Sequence, residues 1–227
     1  MSLGLRVIHQ FYFGRNLIRF PSWPERKAVA VPFRGYWLST ILDCTEQIRQ
    51  SCNDKLMALA IFSGKKGHPT WIKQASCSPL GLLYSLSPSY FGANADPTVY
   101  RKRGNQLHQF LRVTQNEAMG GDAIYTFIES QGWAKVFTTR TGGSGEDLEF
   151  NRAFIPIRLI IENVFGVLKL TWAILHDIFR HDEKTHNVVW YILGSIHNED
   201  ILSKRLVLCG EEFWLWWEEK WKKVTIS

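Results

Sequence analysis

A chain of 227 residues that is 45% hydrophobic and 21% charged can bury a proper core, which excludes an intrinsically disordered protein. Its 27 Lys and Arg outnumber 21 Asp and Glu, and the net charge of +6 suits a polyanionic partner without identifying one. The four cysteines form no CxxC pair, the start carries no signal-peptide pattern, and no apolar run reaches the ~20 residues of a membrane span. The expectation is therefore a soluble intracellular protein with no membrane association, and no disulfide scaffold or zinc module.

In chain order, residues 1–35 read as an irregular extension, turn-rich at Phe20-Pro21-Ser22-Trp23-Pro24 and lacking a complete helix-turn-helix. Residues 36–45 read as a strand whose apolar run ends at Asp43. Ser63-Gly64-Lys65-Lys66-Gly67 is a basic turn, and residues 68–78 and 82–90 read as two strands joined at Pro79-Leu80-Gly81. After the loop 91–97, Asp96-Pro97 supplies an N-cap and a first-turn proline for a helix over 98–113 with Lys and Arg exposed. Residues 117–123 form a short segment carrying Asp122, and 134–139 are a further strand candidate. A glycine-rich acidic loop at 141–149 leads to the clearest helix, 156–180, with weaker helices over 186–198 and 211–223.

Three sequential strands predict an antiparallel meander, and the strand after the first helix joins it in parallel through a right-handed crossover. Helices flanking such a mixed sheet give an α/β architecture of the RNase H-like kind, three antiparallel strands plus parallel ones. That layout divides the chain into the extension 1–35, a core 36–200 and a tryptophan-rich helical tail 201–227. It also draws together carboxylates at the ends of the first and fourth strands.

Asp43 closes an apolar strand, where desolvating a carboxylate costs several kcal/mol unless a cation or donor offsets it. For an isolated Asp a strand-end turn cap is the better reading, and the same alternatives apply to Asp122 behind Gly120 and Gly121. On the long helix, Ile157, Ile160, Ile161, Val164, Leu168, Trp172 and Leu175 form a core stripe. Arg158, Glu162, Gly166 and Lys169 share another side, where the simple reading is a solvated face with an Arg–Glu pair. Gly166 costs about 1 kcal/mol relative to Ala in a helix interior, so a backbone or phosphate passing close is the reading its presence invites. Three such carboxylates could hold two Mg²⁺ (or Mn²⁺) ions for phosphodiester cleavage, Asp43 bridging both while Asp122 and Glu162 each hold one.

The segments Phe150-Asn151-Arg152, Arg158 with Ile161-Glu162-Asn163, Phe165-Gly166 with Leu168-Lys169, and Trp172 with Ile174-Leu175 resemble the "FN…R..VEN.FG.LK.RW.IL" block of PIF/Harbinger-type DDE transposases, the DDE superfamily endonucleases. Leu42-Asp43-Cys44-Thr45-Glu46, Phe62-Ser63-Gly64-Lys65-Lys66-Gly67-His68, Phe91-Gly92 with Asp96, Gly121-Asp122 with Tyr125, and His197-Asn198 resemble that family's other motifs in the same order. The resemblance implies an RNase H-like catalytic domain in the nucleus that cuts and joins DNA with a divalent metal. Asp43, Asp122 and Glu162 would be its acidic triad. It adds Asp96 as a further metal-site acid, against that residue's simpler role as a helix cap. Lys65, Lys66, Arg158 and Lys169 are the DNA-contact candidates. Leu170-Thr171 departs from the family by replacing a basic residue before Trp172. Without a DNA-reading module, target recognition falls to a separate Myb-like or helix-turn-helix protein, and the tryptophan-rich tail is a candidate surface for homo-oligomer or partner contact. The alternative is a catalytically silent, domesticated transposase relative that binds DNA or protein.

Overall fold

The computed structural model describes residues 3–208. The helix expected over 211–223, and with it most of the tryptophan-rich tail, lies outside the described residues. The elements in order are α1 (Leu3–Arg15), α2 (Trp23–Lys27), β1 (Val31–Phe33), β2 (Tyr36–Ile48), α3 (Lys55–Ile61), β3 (Phe62–Ser63), β4 (His68–Cys77), β5 (Leu83–Leu86), β6 (Tyr90–Phe91), α4 (Asp96–Tyr100), β7 (Glu117–Gly121), α5 (Thr126–Ser130), β8 (Lys135–Phe137), α6 (Gly145–Thr171), α7 (Ala173–His176) and α8 (Glu183–Leu208). Among the described residues, no helix is long and apolar enough to cross a membrane.

All eight strands join one mixed sheet whose main path runs β3-β4-β2-β7-β8. β2 is its centre. It pairs antiparallel with β4 from Ile41↔Cys77 to Ile48↔Thr70 and parallel with β7 from Trp37↔Glu117 to Leu42↔Gly121. β7 and β8 are also parallel, and β5 and β6 both pair antiparallel with β4. The expected α/β mixed sheet with an antiparallel meander and parallel additions is therefore present.

Alternation along β2 serves two cores. Ile41 faces the cluster built with Phe154, Ile157, Ile161 and Val164 of α6, whereas Leu42 faces Tyr100, Met119 and Tyr125 on the other side. Asp43 follows Ile41 on the α6 face.

Several elements differ from the sequence expectation. Residues 1–35 are not irregular throughout: they hold α1, α2 and β1. Glu25 accepts from the Ser22 N–H and hydroxyl at 2.8 and 2.7 Å, starting α2, while Arg34 and Gly35, with φ of 50° and 82°, close a tight β1–β2 turn. Arg26, only 2% exposed, donates from Nε and a terminal nitrogen to both oxygens of Glu117, at 2.7 Å each.

The strand expected over 82–90 breaks at Pro88, which has no N–H to donate. Helix 98–113 shrinks to α4, because the buried Asn105 side chain caps the Val99 carbonyl at 2.9 Å and Gly104 turns the chain at φ 87°. Only isolated 3₁₀ turns follow, at Leu107–Phe110 and Val113–Gln115. Conversely α6 begins eleven residues before Pro156, at Gly145, capped by Ser144, whose side chain accepts from Asp147 N. Phe150 and Phe154 pack against Phe33 and Phe137 there, and that burial outweighs one proline inside the helix.

α8 carries a polar network into the core. Lys73, 2% exposed, donates to the Ser87 carbonyl at 2.8 Å and to Ser89 Oγ at 3.2 Å, and it also bonds Asn187. His186 bridges Ser89 Oγ and Gln47 Oε1, and burial drives its pKa down to about 2, so it stays neutral. Asn198 accepts from the Leu83 N–H and donates to the Leu83 carbonyl, both at 2.8 Å, zipping α8 to β5.

Candidate active site

Asp43 lies inside a thirteen-residue strand, one residue beyond the last parallel pair Leu42↔Gly121. Asp122 is the residue after Gly121. The two carboxylates thus emerge side by side where the ladder between β2 and β7 ends. The glycines before Asp122 sit in a strand, not a turn, and close packing explains them. A Cβ on Gly120 would lie 3.2 Å from the Phe154 ring, and one on Gly121 would lie 3.0 Å from the Tyr125 ring.

Four acids converge electrostatically on this point. Burial raises the Asp43 carboxyl pKa to about 6, and the nearby charges of Asp96, Asp122 and Glu162 push the same way. The Asp43 carboxylate accepts one bond, from Cys44 N at 2.7 Å, and among the described residues no cation stands within ion-pair distance of it. Asp122 is exposed and accepts from Ala123 N at 2.7 Å.

Asp96 is not the cap of α4. Ala95 occupies that position and Asp96 is the first helical residue. Its carboxyl lies close enough to the Cys44 thiol for the two to influence each other's ionisation, and that thiol takes a bond from Tyr125 OH at 3.3 Å. Burial raises Asp96 as well, and the Lys65 charge partly offsets this.

Glu162 faces the same site from α6 but is held by Arg158 at 2.6 Å, one turn earlier. Arg158 Nε is buried with no hydrogen-bond partner. As they stand, no three Asp, Glu, His or Cys side chains among the described residues are close enough together to hold an ion.

The expected basic residues divide. Lys65 and Lys66 are exposed on the Ser63–Gly67 turn, where Gly67 N donates to Ser63 O at 2.8 Å. Lys169 instead turns inward, donating to Thr45 Oγ1 at 2.7 Å and to the Glu46 carbonyl at 2.8 Å, so it braces β2 just beyond Asp43. Burial, then the Lys66 charge, lowers its pKa. Over Gly166 no protein atom lies within 4 Å of a built Cβ. Among the described residues, no segment outside its own helix crosses there, so none of them supplies the backbone reading of that glycine.

The family model of the DDE superfamily endonucleases matches residues 42–198. The chain belongs to this family. The match begins one residue before Asp43 and ends at Asn198, so all four acids of this DDE superfamily endonuclease lie inside it. Membership indicates a nuclease or transposase-like function, and the superfamily typically uses divalent metals. No curated protein and no solved structure matches the chain. The donor chemistry suits a hard cation, since all four side chains are carboxylates. Asp43 is crowded by like charge with, among the described residues, no cation on it, although the four are not gathered closely enough as they stand to ligate one ion. Sequence reasoning missed Cys44, Tyr125 and the inward turn of Lys169; each depends on contacts across elements distant in sequence.

Proposed function

We propose that this chain is a metal-dependent DNA endonuclease or transposase domain of the PIF/Harbinger type, with an RNase H-like catalytic core. The observation that carries the reading is Asp43: a partly buried carboxylate on the central strand of the sheet, with the charges of three further carboxylates bearing on it and, among the described residues, no cation paired to it. A central strand antiparallel to one neighbour and parallel to the other supports the RNase H-like assignment.

Asp43, Asp122 and Glu162 would hold the divalent ions, Mg²⁺ or Mn²⁺, with Asp96 as a fourth acid. Bound there, the ions supply activation of the attacking water and stabilisation of the leaving oxygen. The protein's own residues fix the geometry. Cys44 N holds one Asp43 oxygen, Ala123 N holds one Asp122 oxygen, and Lys169 pins the strand that carries Asp43. To help hold an ion, Glu162 would have to give up its pair with Arg158, and the freed guanidinium would then be available to a substrate phosphate. Lys65 and Lys66 approach the DNA backbone directly. A nuclear location and a separate DNA-reading partner belong to the same reading.

One observation favours a second reading, a silent relative that binds without cutting: Glu162 is already neutralised by Arg158. Plasmid nicking in Mn²⁺ separates the two. The parent chain is expected to nick supercoiled DNA, and Glu162→Gln to lose at least ~100-fold of that rate. No metal-dependent nicking by the parent would leave the silent reading standing.

A further inference from the structure

The segment after α4 reads Arg101-Lys102-Arg103-Gly104, with all four residues exposed. Among the described residues, no carboxylate stands within ion-pair distance of its three cations. Three adjacent like charges repel one another, and the fold offers them no counter-charge. A solvated loop tolerates this, but the loop is fixed at its base. The Arg101 guanidinium lies 4.5 Å over the Phe127 ring, the Arg101 carbonyl accepts from Gln106 Nε2 at 3.1 Å, and Asn105 is buried.

Its position decides the matter. α4 starts at Asp96 and spans only about 7.5 Å. Tyr100, its last residue, packs against Tyr125, three residues beyond Asp122, and Phe127 is five beyond it. The Arg101–Arg103 loop therefore borders the acids on the side of Asp96 and Asp122. Lys65 and Lys66, exposed on the Ser63–Gly67 turn, border them too: the Lys65 charge acts on Asp96, and the Lys66 charge repels that of Lys169, which is bonded to Thr45. Four carboxylates repel any phosphate, so a polyanion reaches them only if cations on the rim hold its flanking phosphates.

We propose that the Arg101–Arg103 loop is a phosphate-binding rim of the active site, gripping the backbone of duplex DNA beside the cleavage position together with Lys65 and Lys66. The proposal rests on the nuclease reading of the site. The contacts are to phosphates, so the loop contributes affinity without sequence preference. Arg101 anchors the loop on Phe127, and Lys102 and Arg103 reach the DNA.

Fluorescence anisotropy of a labelled duplex, titrated in Ca²⁺ between about 50 and 200 mM salt, tests it. Lys102→Gln/Arg103→Gln is expected to lower the slope of log affinity against log salt by about 1.8, and to weaken binding to unrelated duplexes equally. Lys102→Arg/Arg103→Lys should keep the parent slope, and unchanged thermal unfolding of both variants should exclude misfolding. A parent-like slope in the Gln variant, or a parent that binds no duplex, would overturn the rim. Nicking by the parent reports separately on the nuclease reading: a parent that nicks DNA while the Gln variant binds like it sinks the rim alone.

Discussion

At the scale of single residues, Asp43 carries the clearest physical signature. Its carboxyl is raised from the ordinary range to about 6, chiefly by burial and further by Asp96, Asp122 and Glu162. A raised acid reverses the usual linkage. The fold favours the protonated form, so its penalty is absent below pH 4, grows as pH rises through 6, and is complete above that. Asp43→Asn keeps an oxygen for Cys44 N and removes the charge. In chelator it should raise the melting temperature at pH 8 by roughly 2–6 °C, or about 1–2 kcal/mol allowing for partial solvent screening, with little change at pH 4. Equal gains at both pH values would mean that charge burial is not the cause. Asp43, Asp122 and Glu162 were legible as candidate positions because each sits at a marked place in a local pattern, and the fold brings their charges to bear on one another. That Arg158 holds Glu162 was legible too, from their spacing of four. The inward turn of Lys169 was not: spacing placed it with the outward cations, and only the closeness of Thr45 and Glu46 draws it in.

At the scale of elements, the turn after β6 shows how tightly the loops are held. Gly92 N donates to the Thr70 carbonyl at 3.1 Å, and a Cβ at Gly92 would overlap Thr70 Oγ1 and lie 2.5 Å from the Ile61 carbonyl oxygen. Gly92→Ala is expected to destabilise the protein by about 2–3 kcal/mol, read as a lower urea midpoint with unchanged slope. The sequence revealed the strands wherever alternation was regular and failed where one side chain replaced the backbone's own bonds. Asn105 ended a helix that periodicity extended, and two phenylalanines carried α6 past a proline that local rules treat as its start. Both misses come from long-range contacts overriding local preference.

At the scale of the whole molecule, the Arg26–Glu117 pair fastens the N-terminal segment to the sheet. Glu117 also accepts from Arg112 N at 2.6 Å and from Ser39, so it is fully engaged at the start of β7. Glu117→Gln leaves a buried guanidinium without its charge partner and should cost about 3–5 kcal/mol. Arg26→Met/Glu117→Met should recover much of that, since neither charge then remains buried. If the double variant is as unstable as the single one in urea, the pair's value lies in shape and not in charge. Nothing in the sequence marked this pair, since its partners lie 91 positions apart and each alone reads as a surface charge.

The placement of β2 has a consequence for how the chain reaches its native state. This central strand is synthesised early, yet the residues of its parallel neighbour lie 79 to 80 positions later than their partners in it. Pairings of such separation close slowly, because a long loop must be ordered before any contact rewards it. Hairpins such as β1–β2 can form at once, whereas Asp43 and Asp122 meet only when β7 docks. The chain therefore folds for much of its pathway without its acids together, and their mutual repulsion arises only in the closing steps. A divalent ion present during refolding should accelerate those last steps and leave the early hairpins unaffected.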